Sequence, residues 1–116
     1  MMLTVYVYKN CSTCQKALKY LETRQLPHRV MPIVEQPPSR PDLERMAGYL
    51  GGLSKLFNTS GQLYRQLGLS QRTLTDQEAL DLLASHGKLI KRPFALAERW
   101  GTVGFKQEVW DRFSES

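Results

Sequence analysis

The sequence predicts an α/β fold, a sheet flanked by helices, and three observations support this prediction. The chain begins with a β-branched and aromatic segment, continues with a helix whose apolar residues recur at helical spacing, and extends again after Pro27. A hairpin pattern and a short helix occupy the other end. With 116 residues the chain has the length of one domain, since domains commonly contain about 100–150 residues. We therefore expect a single unit over residues 1–116.

The first elements form a predicted β-α-β unit. Residues 3–8 are β-branched and aromatic without clean alternation, which is typical of a central strand covered on both faces. A helix is predicted from Ser12 to about Arg24, because apolar side chains recur there at the spacing of a buried helical face. These side chains are Cys14, Ala17, Leu18 and Leu21. Residues 28–31 form a second strand, and the crossover should be right-handed.

Residues 39–86 are predicted to form a helical insertion. Ser39 can cap a helix that ends at the glycine pair of residues 51–52. Short, interrupted helices follow. Thr75 and Glu78 have the spacing of a capping box, which begins another helix.

The last part of the chain predicts a hairpin and a closing helix. Residues 94–96 and 101–105 are short enough to pair as antiparallel strands. A helix should follow over residues 108–113. Its inward side chains are predicted to be Val109, Trp110 and Phe113. The order β-α-β, helical insertion, β-β-α is that of a thioredoxin-like fold with a mixed four-stranded sheet, whose core would comprise about residues 1–38 and 87–116.

The charge of the chain favours a solvated basic surface over a nucleic-acid site. Lys and Arg number 16 against 11 Asp and Glu, so the net charge is +5. The bases are scattered, and their tightest cluster is Lys88, Lys91 and Arg92. Because charge alone specifies no partner, we predict no direct contact with nucleic acid. A small anionic ligand or an acidic protein is the next alternative.

Compartment and assembly follow from simpler features. No apolar run approaches the roughly 20 residues of a membrane span, and the first residues lack the pattern of a signal peptide. We therefore expect a cytoplasmic protein without membrane contact, and a monomer as the simplest assembly. In a reducing compartment, a close cysteine pair indicates redox chemistry or metal binding more often than a permanent crosslink.

The most informative motif is a Cys-Ser-Thr-Cys sequence where the first strand gives way to a helix. A helix N-terminus carries about half a positive charge, which favours a thiolate at Cys11. The groups predicted to stabilise it are Lys9 and the backbone amides of Ser12 and Thr13. Cys14 lies one turn later and belongs to the inward face of the helix. We therefore predict an exposed attacking sulfur at Cys11 and a shielded resolving sulfur at Cys14.

Other roles for the two cysteines compete with this one. A structural zinc site needs four ligands, and the sequence offers only His28 and His86 beside the pair, so we predict no metal. Inert burial suits Cys14 better than Cys11. A third alternative is that the pair has no function and arose by neutral drift on an inherited fold. A C-x-x-C motif in a β-α-β context favours redox activity over all three.

Arg92 and Pro93 form the second candidate motif. A guanidinium is a planar, permanently charged fork that suits oxyanions. Pro93 is a candidate cis proline, because X–Pro bonds adopt that isomer at low cost. The alternative is that Arg92 is a surface base beside Lys91 and that Pro93 is an edge residue, and spacing alone favours this alternative.

Together these motifs resemble the arsenate reductase-like branch of the thioredoxin superfamily, the group that contains ArsC and Spx. The matching segments occur in the family's order. They are residues 5–17, 63–69, 89–93 and 103–105. The resemblance implies a thioredoxin-like core with a helical insertion. It also implies that Cys11 corresponds to the cysteine that attacks arsenate in the reductases, where glutathione and glutaredoxin complete the cycle.

In arsenate reductases three arginines hold the oxyanion, and Arg92, followed by a cis proline, matches one of them. The second position falls at Asn58, the third falls near Gly104, and Gln15 replaces a further basic residue. Because charge-assisted hydrogen bonds contribute about 1.5–3 kcal/mol each, arsenate should bind weakly. The expected activity is therefore thiol–disulfide exchange on a small thiol or oxyanion. No cofactor would be bound, and glutathione or a thioredoxin- or glutaredoxin-type partner protein would be the reductant.

The Spx-like members of the family imply a different function. They share the C-x-x-C motif, and they are regulators whose cysteine pair senses oxidation and which bind the RNA polymerase α subunit. Gly52 falls where that branch has a glycine at the polymerase contact. The end of a helix explains this glycine equally well. Enzyme and regulator both remain open at this point.

Overall fold

The structure, a computed structural model, describes residues 2–115, with side chains for residues 2–112. Its elements are β1 (Leu3–Val7), α1 (Ser12–Thr23), β2 (His28–Pro32), α2 (Arg40–Leu50), α3 (Gln62–Gln66), α4 (Asp76–Ser85), β3 (Phe94–Leu96), β4 (Gly101–Val103) and α5 (Gln107–Glu115). Short 3-10 helices occupy Leu53–Leu56, Leu69–Gln71 and Gly87–Leu89. The predicted order of elements is confirmed. No helix within residues 2–115 combines the length and apolar character needed to cross a membrane.

The four strands form one mixed sheet in the order β2-β1-β3-β4. β1 is parallel to β2, with Val5 opposite Val30, and antiparallel to β3, with Tyr6 opposite Phe94. β3 and β4 form the predicted hairpin. β1 is therefore a central strand, as its continuous β-branched and aromatic sequence indicates. β4 is shorter than predicted, because Gly104 has φ +77° and leaves the extended conformation.

The sheet separates two hydrophobic cores. One face packs against α1 and α5, where Leu21 and Trp110 are completely buried. The other face packs against the helical insertion, around Phe94 and Met46. Burying one large apolar side chain stabilises the fold by about 1.5–3 kcal/mol, so both layers of helices are held to the sheet chiefly by such contacts.

The inward faces of α1 and α5 differ in part from the prediction. Leu18 is only half-buried, whereas Tyr20 is buried and packs edge-on against Phe105 and Trp110. The Tyr20 ring thereby links α1 to α5 and to Phe105, which lies before that helix. Trp110 faces inward as predicted, and the predicted inward side chain of Phe113 lies outside the described side chains.

The ends of the insertion helices follow local capping rules. Ser39 Oγ accepts a hydrogen bond from the Asp42 N–H at the start of α2, and α2 ends at Gly51 with φ +93°. Thr75 and Glu78 form the predicted capping box, since each side chain accepts a hydrogen bond from the other residue's backbone N–H at 3.0–3.1 Å. Such caps contribute about 1 kcal/mol each.

Gly87 allows the segment that carries Arg92 to pack against the residues that follow β2. A Cβ atom on Gly87 would lie 1.9 Å from the carbonyl oxygen of Ile33. On the other side of the segment, the Lys91 N–H donates to the Leu56 carbonyl at 2.8 Å. The segment is thus held between the sheet and the insertion, and this position brings Arg92 toward the end of β1.

We expect Gly87→Ala to destabilise the fold by about 1–3 kcal/mol, the usual cost of forcing atoms into a packed contact. Gly48→Ala is the matched control, because Gly48 is exposed within α2 and a Cβ there meets nothing within 4 Å. Alanine at Gly48 should stabilise α2 by about 0.5–1 kcal/mol. Urea denaturation of both variants measures the difference, and equal effects at the two sites would contradict the close packing of Gly87.

Candidate active site

Cys11 is the N-cap residue of α1 and lies where the chain reverses after β1. Its backbone N–H donates to the Tyr8 carbonyl at 3.1 Å, and its Sγ accepts a hydrogen bond from the Cys14 N–H at 3.2 Å. The first turn of α1 contains no acidic residue. The sulfur therefore lies at the positive end of a helix and replaces the oxygen that commonly caps one.

The hydrogen bond to the Cys11 sulfur comes from the amide of Cys14, which was not among the predicted groups. Stabilisation of the sulfur by the amides of Ser12 and Thr13 stays a prediction. An N-cap side chain reaches the second or third N–H of its helix, and Cys14 is the third helical residue. The cysteine pair is thus joined through the backbone of one residue and the sulfur of the other.

Cys14 differs sharply from Cys11 in its surroundings. Its side chain is 1% exposed, whereas Cys11 is half-buried. Burial raises the pKa of the Cys14 thiol from 9.0 to about 12, and a hydrogen bond to Cys11 adds to this shift. The charge of Arg92 acts on the Cys14 pKa in the opposite direction. Cys14 is therefore a protonated thiol over the physiological pH range.

Cys11 lines an open pocket of about 500 Å³. The lining residues are Cys11, Thr13, Asn58, Ser60, Gly61, Lys91, Arg92 and Gly104. Two of these eight residues are cations and none is an acid. The pocket can therefore attract an anionic ligand to the sulfur.

Strand pairing explains why distant parts of the sequence meet in this pocket. β1 and β3 are antiparallel, so the end of β1 lies beside the start of β3, where Arg92 and Pro93 precede the strand. β4 is antiparallel to β3, with Val103 opposite Phe94, so Gly104 reaches the same edge. The sheet order thus assembles Cys11, Arg92 and Gly104.

Two contacts hold the Arg92 side chain. Its guanidinium carbon lies 4.6 Å from the centroid of the Tyr8 ring, a distance at which cation and ring attract each other. Its Nη1 donates to the Lys88 carbonyl at 3.2 Å. The Arg92–Pro93 peptide bond is cis. A guanidinium has five N–H donors, so donors remain for a ligand.

The structure places Lys9 away from this pocket. Lys9 is exposed and lines a neighbouring pocket instead, whereas Lys91 lines the Cys11 pocket. We expected Lys9 at the site because it lies two positions before Cys11. The turn after β1 instead directs Lys9 and Cys11 to different pockets. The adjacency of Lys91 to Arg92 was the signal that could have indicated it.

The loop at residues 58–61 supplies the polar side of the pocket. Asn58, at the second position where the resemblance implies an arginine, lines it, and so does Gly104, near which the third position falls. Ser60 Oγ donates to Asn58 Oδ1 at 3.3 Å. A Cβ on Gly61 would lie 2.7 Å from Asn58 Nδ2, so Gly61 makes room for the amide. Sequence reasoning did not identify Ser60 and Gly61, because only tertiary packing brings this loop to Cys11.

Gly52 lies elsewhere, in the helical insertion. It follows the end of α2 with φ +142° and lines a pocket of about 320 Å³ together with Phe57 and Tyr64. That pocket and the Cys11 pocket have no lining residue in common. In the described part of the chain, no three His, Cys, Asp or Glu side chains are grouped so that they could hold a metal.

Comparison with known proteins shows which family this chain matches. The model of the ArsC family matches residues 6–113. The chain is 44% identical to "Uncharacterized protein YusI" of Bacillus subtilis, over the whole chain and 98% of that protein. It is 39% identical to a solved "possible arsenate reductase" from Streptococcus mutans, with a TM-score of 0.86 over 95% of this chain and 98% of the other.

The same comparison also finds regulators. The chain is 26% identical to "Global transcriptional regulator Spx" of Enterococcus faecalis, and the match covers 97% of this chain and 86% of the regulator. Similarity in sequence and length therefore extends to both functional classes.

We expect iodoacetamide at mildly alkaline pH to modify Cys11 in the folded protein and to leave Cys14 unmodified. Cys14 is buried, and its thiol stays protonated at pH values well below about 12. Peptide mass mapping after brief exposure identifies the modified residue. In guanidinium chloride both residues should react. Modification of Cys14 at the rate of Cys11 in the folded protein would contradict the difference in burial.

Proposed function

The chain belongs to the ArsC family, and we propose that it is a cytoplasmic thiol–disulfide oxidoreductase with Cys11 as nucleophile and Cys14 as resolving thiol. One observation carries the proposal. The Cys11 sulfur caps a helix N-terminus and lines a pocket whose only charged lining residues, Lys91 and Arg92, are cations. Attack on a disulfide needs an accessible sulfur, and cations beside that sulfur stabilise the thiolate that the reaction releases.

The first step is attack of the Cys11 thiolate on one sulfur of a substrate disulfide. A bond forms between Cys11 and that sulfur while the substrate S–S bond breaks, and the second substrate sulfur leaves as a thiolate. Lys91 and Arg92 can stabilise the negative charge on the departing sulfur. Tyr8 supports this role by holding the Arg92 guanidinium beside the pocket.

The second step is resolution by Cys14. Cys14 gives its proton to solvent and attacks the Cys11 sulfur, so an internal disulfide forms and the remaining substrate thiolate leaves. Burial is the largest cause of the raised Cys14 pKa, but the Cys11 thiol also contributes to it. Once Cys11 is part of a mixed disulfide, that contribution ends while the charge of Arg92 remains. Cys14 therefore ionises more readily when its attack is required.

The two thiols supply both electrons, so the reaction needs no bound cofactor. Two glutathione molecules, or the dithiol of a thioredoxin- or glutaredoxin-type protein, would then reduce the internal disulfide and become oxidised to a disulfide themselves. This step returns Cys11 and Cys14 to the thiol state.

The composition of the pocket favours a disulfide substrate over arsenate. Of the three positions where the resemblance implies arginines, Arg92 retains the charge, the neutral Asn58 occupies the second, and the third falls near Gly104, where the pocket lining has no charged side chain. A volume of about 500 Å³ is within the range of pockets for organic ligands. We therefore propose that the substrate is larger than an oxyanion.

We expect Cys11→Ser to abolish turnover of a disulfide substrate and Cys14→Ser to accumulate a mixed disulfide with Cys11. Arg92→Gln should slow the first step by about 10- to 100-fold, because it removes a charge-assisted contact. Lys55→Gln changes the same charge at an exposed site outside the pocket and is the control. Mass spectrometry detects the mixed disulfide, and full turnover by Cys11→Ser would refute the mechanism.

A second candidate function is redox-sensing regulation of transcription through the RNA polymerase α subunit. The similarity to Spx favours it, as does the place of Gly52 in the lining of a pocket in the insertion. In this alternative the internal disulfide alters binding to the polymerase, and Gly52 lies at the contact.

If the regulator function is correct, the purified polymerase α C-terminal domain should retain this protein in at least one redox state, and Gly52→Arg should weaken that binding. Gly68→Arg is the control, because Gly68 also has a positive φ but does not line the Gly52 pocket. A pull-down with reduced and oxidised protein tests both statements. Absence of binding in both states would eliminate the regulator function.

A further inference from the structure

A second pocket adjoins the Cys11 pocket, and the proposed chemistry does not use it. Its volume is about 410 Å³, and it lies at the carboxyl ends of the parallel strands β1 and β2. Its walls are largely apolar and include Val30, Pro32 and Val34. Val30 is 47% exposed, so its apolar side chain is open to a ligand in this pocket. An open apolar pocket with a few polar groups is typical of a ligand site.

Tyr8 and Arg92 connect the two pockets. Tyr8 lines the second pocket, and its carbonyl accepts the Cys11 N–H at 3.1 Å. Its ring contacts the guanidinium of Arg92, which lines the Cys11 pocket. A ligand that extends past this pair from the reactive sulfur therefore reaches the second pocket.

The charges around the two pockets favour an anionic ligand. Lys9, Lys88 and Glu35 line the second pocket, and Lys91 and Arg92 line the first. Between them, the lining residues include four cations and one acid. A ligand that combines carboxylates with an apolar group matches both the charge and the apolar walls.

We propose that the second pocket is a subsite for an apolar side chain next to the reacting cysteine of a polypeptide substrate, whose acidic residues contact Lys9 and Lys88. The inference rests on the proposed oxidoreductase function and specifies its substrate class. A small thiol or oxyanion occupies the Cys11 pocket alone. A peptide places a cysteine and a neighbouring side chain on the two sides of the Tyr8–Arg92 pair.

The subsite acts in the first step of the reaction. The Cys11 thiolate attacks the peptide cysteine in a disulfide, a Cys11–peptide disulfide forms, and the other sulfur leaves as a thiolate. The apolar side chain then keeps the peptide bound until Cys14 attacks Cys11 and releases the peptide thiolate.

The test uses synthetic peptides whose single cysteine is disulfide-bonded to thionitrobenzoate, a coloured leaving thiolate. One peptide has the sequence Glu-Leu-Cys, a second replaces leucine by glycine, and a third replaces glutamate by lysine. We expect the first to react with a kcat/KM about tenfold above the second, as burial of one apolar side chain predicts. The kcat/KM of the first peptide should also exceed that of the third, which carries lysine in place of glutamate. Equal rates for the first two peptides would overturn the subsite.

Variants test the location of the subsite. Val30→Asp should abolish the preference for the leucine peptide, so that the leucine and glycine peptides react at about the same rate. Leu67→Asp is the matched control, because it places the same charge at another exposed apolar residue that does not line either pocket. This control should keep the tenfold preference. An unchanged preference in folded Val30→Asp protein, verified by circular dichroism, would also overturn the subsite.

The small, neutral hydroxyethyl disulfide separates failure of the subsite from failure of the enzyme. If the wild-type protein reduces it and all peptides at similar rates, the oxidoreductase function stands and the subsite is wrong. If the wild-type protein reduces neither this disulfide nor any peptide, the proposed function is wrong and the subsite is overturned with it.

Discussion

The hydrogen bond from the Cys14 N–H to the Cys11 sulfur is the interaction on which the site depends. It caps α1, it places the sulfur at the positive end of the helix, and it sets the distance between the two cysteines. The turn after β1 supplies the other restraint, because the Cys11 N–H donates to the Tyr8 carbonyl. Local backbone geometry therefore accounts for both the exposure of Cys11 and the shielding of Cys14.

The sheet brings residues that are distant in the sequence to Cys11. Antiparallel pairing of β1 with β3 brings Arg92 to Cys11, and pairing of β3 with β4 brings Gly104 to the same edge. Gly87 permits this arrangement, because a side chain there would collide with the backbone at Ile33. The positively charged pocket is thus a consequence of strand order and of one close backbone contact.

The features that could be predicted from the sequence are those with short-range causes. The capping box of Thr75 and Glu78 and the helix that follows Cys11 depend on residues only a few positions apart, and the structure contains both. The absence of Lys9 from the pocket lining could not be predicted, because it depends on which way the turn after β1 projects, whereas the adjacency of Lys91 to Arg92 could have indicated Lys91. Tyr20 replaced Leu18 in the core for a similar reason, since its ring partners belong to distant segments.

The shielded position of Cys14 has a further consequence for the lifetime of the site. Peroxide converts an accessible thiolate to a sulfenic acid, and further oxidation to the sulfinic acid is generally irreversible. The thiol of Cys14, whose backbone N–H contacts the Cys11 sulfur, can condense with that sulfenic acid and expel water before the second oxidation. The arrangement that we propose to resolve a mixed disulfide therefore also protects Cys11 from permanent oxidation.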